Sequence, residues 1–292
     1  MQAMLLAAGF GTRLKPYTDI RPKPLFPVLN RPLLLWHLER LRQTGFARVL
    51  VNAHHLAGQI ERAVAGLPGV QLQVEPEILG TGGSLREALP RLAAEPLLVL
   101  NGDVYHELDL AALWTQHQQS THAVTMALHD LPRFNTVQVR GRTVSGFGRA
   151  AGALAFTGIQ VVNPEIIARI PAARFFHIID LYRQMAPLGC IGYARVDGVF
   201  WQDMGTPADY LDLHRRLLGP GAWRIAETAL VAGSARLAGF GCIGERAVIA
   251  PGATLSDCVV WDGASIPQGC YRQRILTGDP RLDSQTQGAI QP

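Results

Sequence analysis

The 292-residue chain has no apolar run near the roughly 20 residues a membrane-spanning helix needs, so no span is expected. Its four cysteines, Cys190, Cys242, Cys258 and Cys270, form no C-x-x-C pair. That spacing supports neither a common zinc site nor a disulfide framework, and a reducing, cytoplasmic setting is expected. Lysine is almost missing: of 27 basic residues only Lys15 and Lys23 are lysines, and the rest are arginines. No basic run is long enough for a nucleic-acid arm, so neither nucleic acid nor membrane is expected as a partner. The apolar opening, residues 1–8, lacks a basic flank and is broken by Gly9-Phe10-Gly11-Thr12-Arg13, so export is not expected. With 48% apolar and 17% charged residues, the chain can build a sizeable core and is not disordered.

The two lysines share one nine-residue stretch in a chain that otherwise uses arginine. An ammonium is a compact point charge and a guanidinium a planar fork, and the two are not interchangeable at a crowded phosphate. The stretch is therefore a candidate site before any motif is named.

The first half alternates strands and helices. Residues 3–7 are a short apolar run ending in glycines, as a buried strand should be. Residues 33–43 place Leu34, Leu38 and Leu41 on one helical face, with Gly45 at the stop. Strands are expected at 49–51, 70–74 and 97–100, and helices over 54–65 and 84–92. This βαβ alternation predicts an α/β fold with a mostly parallel sheet and ligands at the carboxyl ends of its strands. From residue 137 the texture changes. A hairpin around Gly141-Arg142 is followed by a strand over 156–162 and helices over 178–185 and 208–218, and Gly219-Pro220-Gly221 marks a boundary. Beyond it an aliphatic residue recurs every six positions, as in Ile243, Ile249 and Leu255. That period predicts a hexapeptide β-helix of about two coils over residues 231–266, within a second domain at 222–280 after a first at 1–218. The tail beyond Asp279 is expected to be loose.

The segment LAAGFGTRLKPYTDIRPKP, residues 6–24, delivers a strand into a Gly-x-Gly turn whose bare amides can make a concave anion site. Leu14 stands where a P-loop and a dinucleotide fingerprint each need a glycine, so both readings fail. What the segment resembles is the signature of the sugar-1-phosphate nucleotidyltransferases, G-x-G-T-R-[LM]-x-P-x-T with K-P a few residues later. It runs here through Gly9, Gly11, Thr12, Arg13, Leu14, Pro16, Thr18, Lys23 and Pro24. The resemblance continues in order. Leu79-Gly80-Thr81-Gly82-Gly83 is similar to the base-binding loop, Asn101-Gly102-Asp103 to a metal-binding strand end, and Phe156-Thr157-Gly158-Ile159 to the sugar-binding strand. Trp201-Gln202-Asp203-Met204-Gly205-Thr206 is similar to the segment bearing a second metal carboxylate.

The resemblance implies a Rossmann-like mixed sheet followed by a short left-handed β-helix. The implied reaction condenses a nucleoside triphosphate with a sugar-1-phosphate to nucleotide-sugar and pyrophosphate, using Mg²⁺. It assigns Asp103 and Asp203 to the metal, and Arg13 to the leaving β,γ-phosphates. Lys23 goes to the α-phosphate or sugar phosphate, and Ala8, Gly9, Gly11, Thr12, Gly80, Thr81 and Gly82 to the nucleotide. Gly158 and His177 fall on the sugar-phosphate side, where many relatives carry a Glu-Lys pair and this chain has Phe175-Phe176-His177-Ile178-Ile179-Asp180. Lys15 is expected on the solvated surface, and the adjacent His54 and His55 are not expected to share a metal. Where thymidylyl and uridylyl relatives typically carry a glutamine this chain has Glu75-Pro76-Glu77, followed by Leu79-Gly80-Thr81-Gly82-Gly83, which resembles the mannose- or heptose-1-phosphate guanylyltransferase branch; a carboxylate there could accept the guanine N1 and N2 protons. Uridylyl transfer to a hexose or amino-sugar phosphate is the alternative. A non-catalytic nucleotide-sugar sensor should have lost Arg13, Lys23, Asp103 or Asp203, all of which are present. Acyl transfer by the β-helix is disfavoured because no histidine follows His214. Exposed coil ends imply a homo-oligomer.

Overall fold

The computed structural model describes residues 1–285 and contains two compact units that are not sequential. One comprises Met1–Phe10 and Leu34–Trp201; the other comprises Gly11–Leu33 and the chain from Gln202 onward. The expected border at 219–221 therefore does not coincide with the observed division. Among the described residues no helix is long and apolar enough to cross a membrane.

In the first unit nine strands form one sheet. In chain order they are β1 (Gln2–Leu6), β2 (Arg48–Ala53), β3 (Val70–Val74), β4 (Leu97–Asn101), β5 (Val124–His129), β6 (Asn135–Arg140), β7 (Thr143–Phe147), β8 (Leu154–Val162) and β9 (Ile191–Arg195). Their spatial order is β3-β2-β1-β4-β8-β5-β9-β7-β6. The strands β1 to β4 are parallel, with Gln2 opposite both Arg48 and Leu97. Beyond β4 the sheet is mixed: β8 runs antiparallel to β4 and β5, β9 parallel to β5, β7 antiparallel to β9, and β6 antiparallel to β7. The expectation of a mostly parallel sheet thus holds for one half only. A tight hairpin can join antiparallel neighbours, whereas a parallel pair needs a crossover.

Six helices accompany this sheet: α1 (Leu33–Gln43), α2 (Ala57–Val64), α3 (Gly80–Ala88), α4 (Leu110–Gln118), α5 (Pro164–Ala168) and α6 (Ile178–Met185). Met4, Leu97, Val99, Met126 and Val162 from the strands pack with Leu85 and Ala88 of α3 and Leu181, Tyr182 and Met185 of α6. α3 begins four residues before the expected start at 84. Glycine is a poor helix former, and this glycine-rich first turn is held instead by tertiary hydrogen bonds described below.

In the second unit α7 (Pro207–Leu218) starts at Thr206, whose hydroxyl accepts the Asp209 amide at 3.1 Å. A stack of short parallel strands follows. Trp223–Ile225, Arg236–Ile243, Thr254–Val260 and Cys270–Leu276 form one sheet, and Leu230–Val231, Val248–Ile249 and Ser265–Ile266 another. Leu230 lies opposite Val248, and Val248 opposite Ser265. Ile243, Ala247, Ile249, Ala253, Leu255, Val260, Ala264 and Ile266 fill the interior, so the six-residue aliphatic period is the period of the core. The stack is longer than the expected 231–266, beginning at Trp223 and ending at Leu276.

The tail was expected to be loose beyond Asp279, but Pro280–Gln285 is a short helix, α8. The Asp283 carboxylate secures it by accepting the amides of Thr277 and Gly278, both at 2.9 Å. Residues 286–292 lie outside the described part of the chain.

Candidate active site

The first unit gathers its candidate residues at the carboxyl ends of β1, β2 and β4. As β1 ends, the Ala7 amide donates to Asn52 Oδ1 at 2.6 Å, which sets the path of Ala8, buried, and of Gly9 and Phe10, both exposed. Asn52 was not singled out from the sequence. Its side chain, 2% exposed, also donates to Glu75 at 2.7 Å and to the Ser84 hydroxyl at 3.0 Å. The Ser84 hydroxyl in turn donates to the Gly80 carbonyl at 2.8 Å. Glu75 is also buried, and its second oxygen accepts the Leu79 amide at 3.3 Å. Buried polar groups need such partners, and this network ties three strand ends to α3. Glu75 is therefore a brace, and Glu77 is the exposed carboxylate of the Glu75-Pro76-Glu77 run. His54 hydrogen-bonds the Glu75 carbonyl at 2.8 Å, and Phe10 meets the rings of His54 and His55 edge-on at 5.4 and 5.8 Å.

The expected base loop and the expected sugar segment are one piece. The Phe176 carbonyl accepts the Gly82 and Gly83 amides at 2.8 and 3.1 Å, and the Phe176 amide donates to the Leu79 carbonyl at 2.8 Å. The Ile178 amide donates to the Thr81 hydroxyl at 3.1 Å. A Cβ on Gly82 would lie 2.8 Å from Phe176 Cδ1 and 3.0 Å from its carbonyl oxygen. Gly82 thus serves close packing, and its amide is already committed. His177 is exposed at the start of α6, its ring edge-on to Phe175 at 4.8 Å.

Gly158 has φ +79°, and a Cβ there would sit 2.6 Å from Asn101 Nδ2. It lies where the β8–β5 register shifts between Phe156 and Gln160. One residue before it, the Thr157 carbonyl accepts the Trp201 indole N–H at 2.9 Å. Asp103 follows Gly102, whose amide donates to the Leu6 carbonyl at 2.9 Å and whose Cα leaves no room for a side chain against that oxygen. Burial pushes the neighbouring His37 down to about 4, although the Val104 backbone and the Asp103 charge pull the other way.

The second unit holds the cationic loop. Gly11 adopts φ +62°, and a Cβ on it would meet Thr18 Cγ2 at 2.8 Å. Thr18, fully buried, donates its hydroxyl to the Gly11 carbonyl at 3.2 Å, closing the turn that carries Thr12 and Arg13. Lys23 is 5% exposed, and its ammonium lies 3.4 Å from Asp203 Oδ1. Arg13, mostly exposed, places Nη2 3.7 Å from Asp203 Oδ2. The bare Gly205 makes this possible, since a Cβ there would lie 2.5 Å from Asp203 Oδ2 and 2.7 Å from Arg13 Nη1. Arg13, Lys23 and Asp203 therefore form one cluster. Lys15 is exposed and pairs with Asp19 at 3.1 Å, four residues along the surface.

Among the described residues no group of three or more His, Cys, Asp or Glu could hold a metal by itself. Single carboxylates such as Asp103 and Asp203 offer hard oxygen donors, which fit a Mg²⁺ whose shell is completed by water and substrate phosphates.

Residues 2–136 match the family described as nucleotidyl transferase. The chain is 34% identical over 222 residues to an N-acetylmuramate alpha-1-phosphate uridylyltransferase of Neisseria meningitidis, covering 70% of this chain and 94% of that protein. It is 30% identical over 302 residues to a mannose-1-phosphate guanylyltransferase of Mycobacterium tuberculosis, covering 94% of this chain and 83% of the relative. Among solved structures, a putative glucose-1-phosphate thymidylyltransferase from Bacillus anthracis superposes with a TM-score of 0.66 at 19% identity, over 73% of this chain and 93% of that one. That last likeness is one of fold. The chain belongs to the nucleotidyl transferase family.

Proposed function

We propose that the protein is a sugar-1-phosphate nucleotidyltransferase. It condenses a nucleoside triphosphate with a sugar-1-phosphate to nucleotide-sugar and pyrophosphate. A phosphate oxygen of the sugar-1-phosphate attacks the α-phosphorus, the bond from the α-phosphorus to the bridging oxygen breaks, and pyrophosphate leaves with the electron pair. The nucleophile is already anionic, so no general base is required. The barrier lies in bringing two polyanions together, and catalysis is positioning plus charge neutralisation.

The observation that carries this reading is the convergence of Arg13 and Lys23 on Asp203 beside a tight glycine turn. Two cationic groups stand together at this turn, where incoming phosphates can meet them. In this reading Arg13, with the Gly11 and Thr12 backbone, takes the β,γ-phosphates. Lys23 takes the α-phosphate or the sugar phosphate. Ala8, Gly9, Gly80 and Thr81 border the nucleotide, and Gly158 and His177 border the sugar phosphate. Asp103 and Asp203 are the residues that would hold Mg²⁺, which when bound neutralises phosphate charge.

Guanylyl transfer to a mannose- or heptose-type phosphate is the preferred specificity, supported by the guanylyltransferase relative that aligns over 94% of this chain. Uridylyl transfer is the second reading, favoured by the higher identity, 34%, of the uridylyltransferase relative. We read the strand stack as a left-handed β-helix appended to a catalytic domain. Its exposed Ile225, Leu230 and Val248 support self-association. The test is a pyrophosphate-release assay crossing four nucleoside triphosphates with a panel of sugar-1-phosphates and Mg²⁺. Turnover with GTP or UTP is expected, and binding without turnover across the panel would favour a sensor.

A further inference from the structure

The segment Gly11–Leu33 carries both loop cations, yet it has little order of its own. It contains three single-turn helices, Thr12–Leu14, Tyr17–Asp19 and Lys23–Leu25, and two facing two-residue strands. Ordering such a loop carries a large entropic cost, so its shape must be imposed from outside.

The strand stack of the same unit imposes it. Arg21, between the two cations in sequence, donates from Nη1 to Asp262 Oδ1 at 2.8 Å and from Nη2 to Asp262 Oδ2 at 3.2 Å. A two-point pairing fixes the plane of a guanidinium as well as its position. The same group lies 4.4 Å over the ring of Trp261, which is only 1% exposed. Phe26 meets that indole edge-on at 4.8 Å and Tyr17 at a tilt at 6.1 Å, so residues on both sides of Lys23 converge on one ring. Asn30 Nδ2 then donates to the Ile243 carbonyl at 2.8 Å and the Arg224 carbonyl at 3.2 Å, both in the stack. Burial raises the pKa of Asp262, but the Arg21 hydrogen bonds and charge more than offset it and hold the carboxyl below the ordinary 3.8. The pair is therefore charged throughout the neutral range.

We propose that the strand stack is the positioning platform of the phosphate-gripping loop: Asp262 and Trp261, acting through Arg21, hold Arg13 and Lys23 where a triphosphate can be received. Asp262 and Arg21 are positioning residues that touch no substrate. Charges held in place before the reaction need no reorganisation during it, and a displacement of about 1 Å can cost large factors in rate. The inference rests on the assignment of Arg13 and Lys23 to phosphates made above.

The test uses the full chain, with Asp262→Ala, Arg21→Ala, the double variant and Arg21→Lys. Readouts are kcat and both KM values with the most active substrate pair, inorganic pyrophosphate affinity by calorimetry, and folded state by circular dichroism. Folded Asp262→Ala is expected to lose about tenfold in kcat/KM for the nucleotide and about tenfold in pyrophosphate affinity, while KM for the sugar phosphate moves less than about threefold. The double variant should be no worse than the worse single, because the two residues form one contact. Wild-type nucleotide kinetics and pyrophosphate affinity in folded Asp262→Ala would overturn the proposal, as would a parallel rise in both KM values. If the alanine variants fail to fold, Arg21→Lys, which keeps the charge and loses the fork, must show the same selective loss or the proposal falls. A wild-type chain that turns over no substrate pair would instead refute the proposed activity, and the pyrophosphate arm would still read the platform.

Discussion

Lys23 offers the sharpest test of the cationic cluster. Its ammonium, on a side chain 6% exposed, lies 3.4 Å from Asp203, whose side chain is 13% exposed. Replacement by methionine keeps the stem and removes the charge. Asp203 would then retain Arg13, at 3.7 Å and largely in solvent, as its partner within this cluster. Removing one member of a fully buried pair costs about 3–5 kcal/mol. Here the surviving guanidinium and partial solvation reduce this to about 1–2 kcal/mol, so Lys23→Met should fold. Activity should fall much further, because a charge aimed at a developing phosphate charge is worth about 100-fold or more in kcat. Arginine should not rescue it. The buried position is built around a compact ammonium, and a guanidinium is a larger, planar fork that is not its equivalent there. Pyrophosphate release under saturating substrates, with thermal unfolding measured in parallel, reads both quantities. A folded Lys23→Met variant with kcat within about threefold of wild type would refute the assignment of this ammonium to the reacting phosphates.

Two further outcomes follow from packing and burial. Gly82→Ala forces a methyl against the Phe176 ring and carbonyl, and overpacking of this kind costs about 1–3 kcal/mol. It should lower the denaturant midpoint and weaken nucleotide and sugar-phosphate binding together, and an unchanged midpoint would contradict the tight clasp between residues 79–83 and 175–178. Burial holds His214 down at about 4 against its ordinary 6.5, although the Tyr210 and Pro27 carbonyls pull upward. The unfolded chain therefore binds the extra proton first, so stability is complete above about pH 6.5 and is lost as the pH falls towards 4. Replacing His214 by glutamine should reduce the slope of the stability–pH curve in that window, leaving the share of the likewise buried His37, as measured by denaturant unfolding at stepped pH.

Local pattern made much of the fold legible. Helices over 33–43 and 178–185 and the strand over 70–74 have the expected bounds, because apolar periodicity and glycine stops act within a few residues. The first turn of α3 carries no helical signal in the sequence, since three of its first four residues are glycine and its support comes from Phe176, nearly a hundred positions away. Asn52 was invisible because a polar residue ending an apolar run signals nothing until two other strand ends are placed beside it. By its place before the glycine loop Glu75 is a candidate to meet the base. Only the packed structure reveals that both its oxygens accept hydrogen bonds from neighbouring protein groups.

The amino-acid sequence alone determined the building blocks: a glycine turn with cations at set spacings, carboxylates near expected strand ends, and a six-residue aliphatic repeat; the reaction class came with the family resemblance those motifs carry. These are properties of neighbouring residues, and the backbone rules that govern them are short-range. Tertiary structure decided that Arg13, Lys23 and Asp203 share one cluster, and that their loop is built into the carboxyl-terminal strand stack through Arg21 and Asp262. Those contacts join residues some two hundred positions apart. Their partners are chosen by which charges and rings meet when the core closes, a choice that no local pattern encodes.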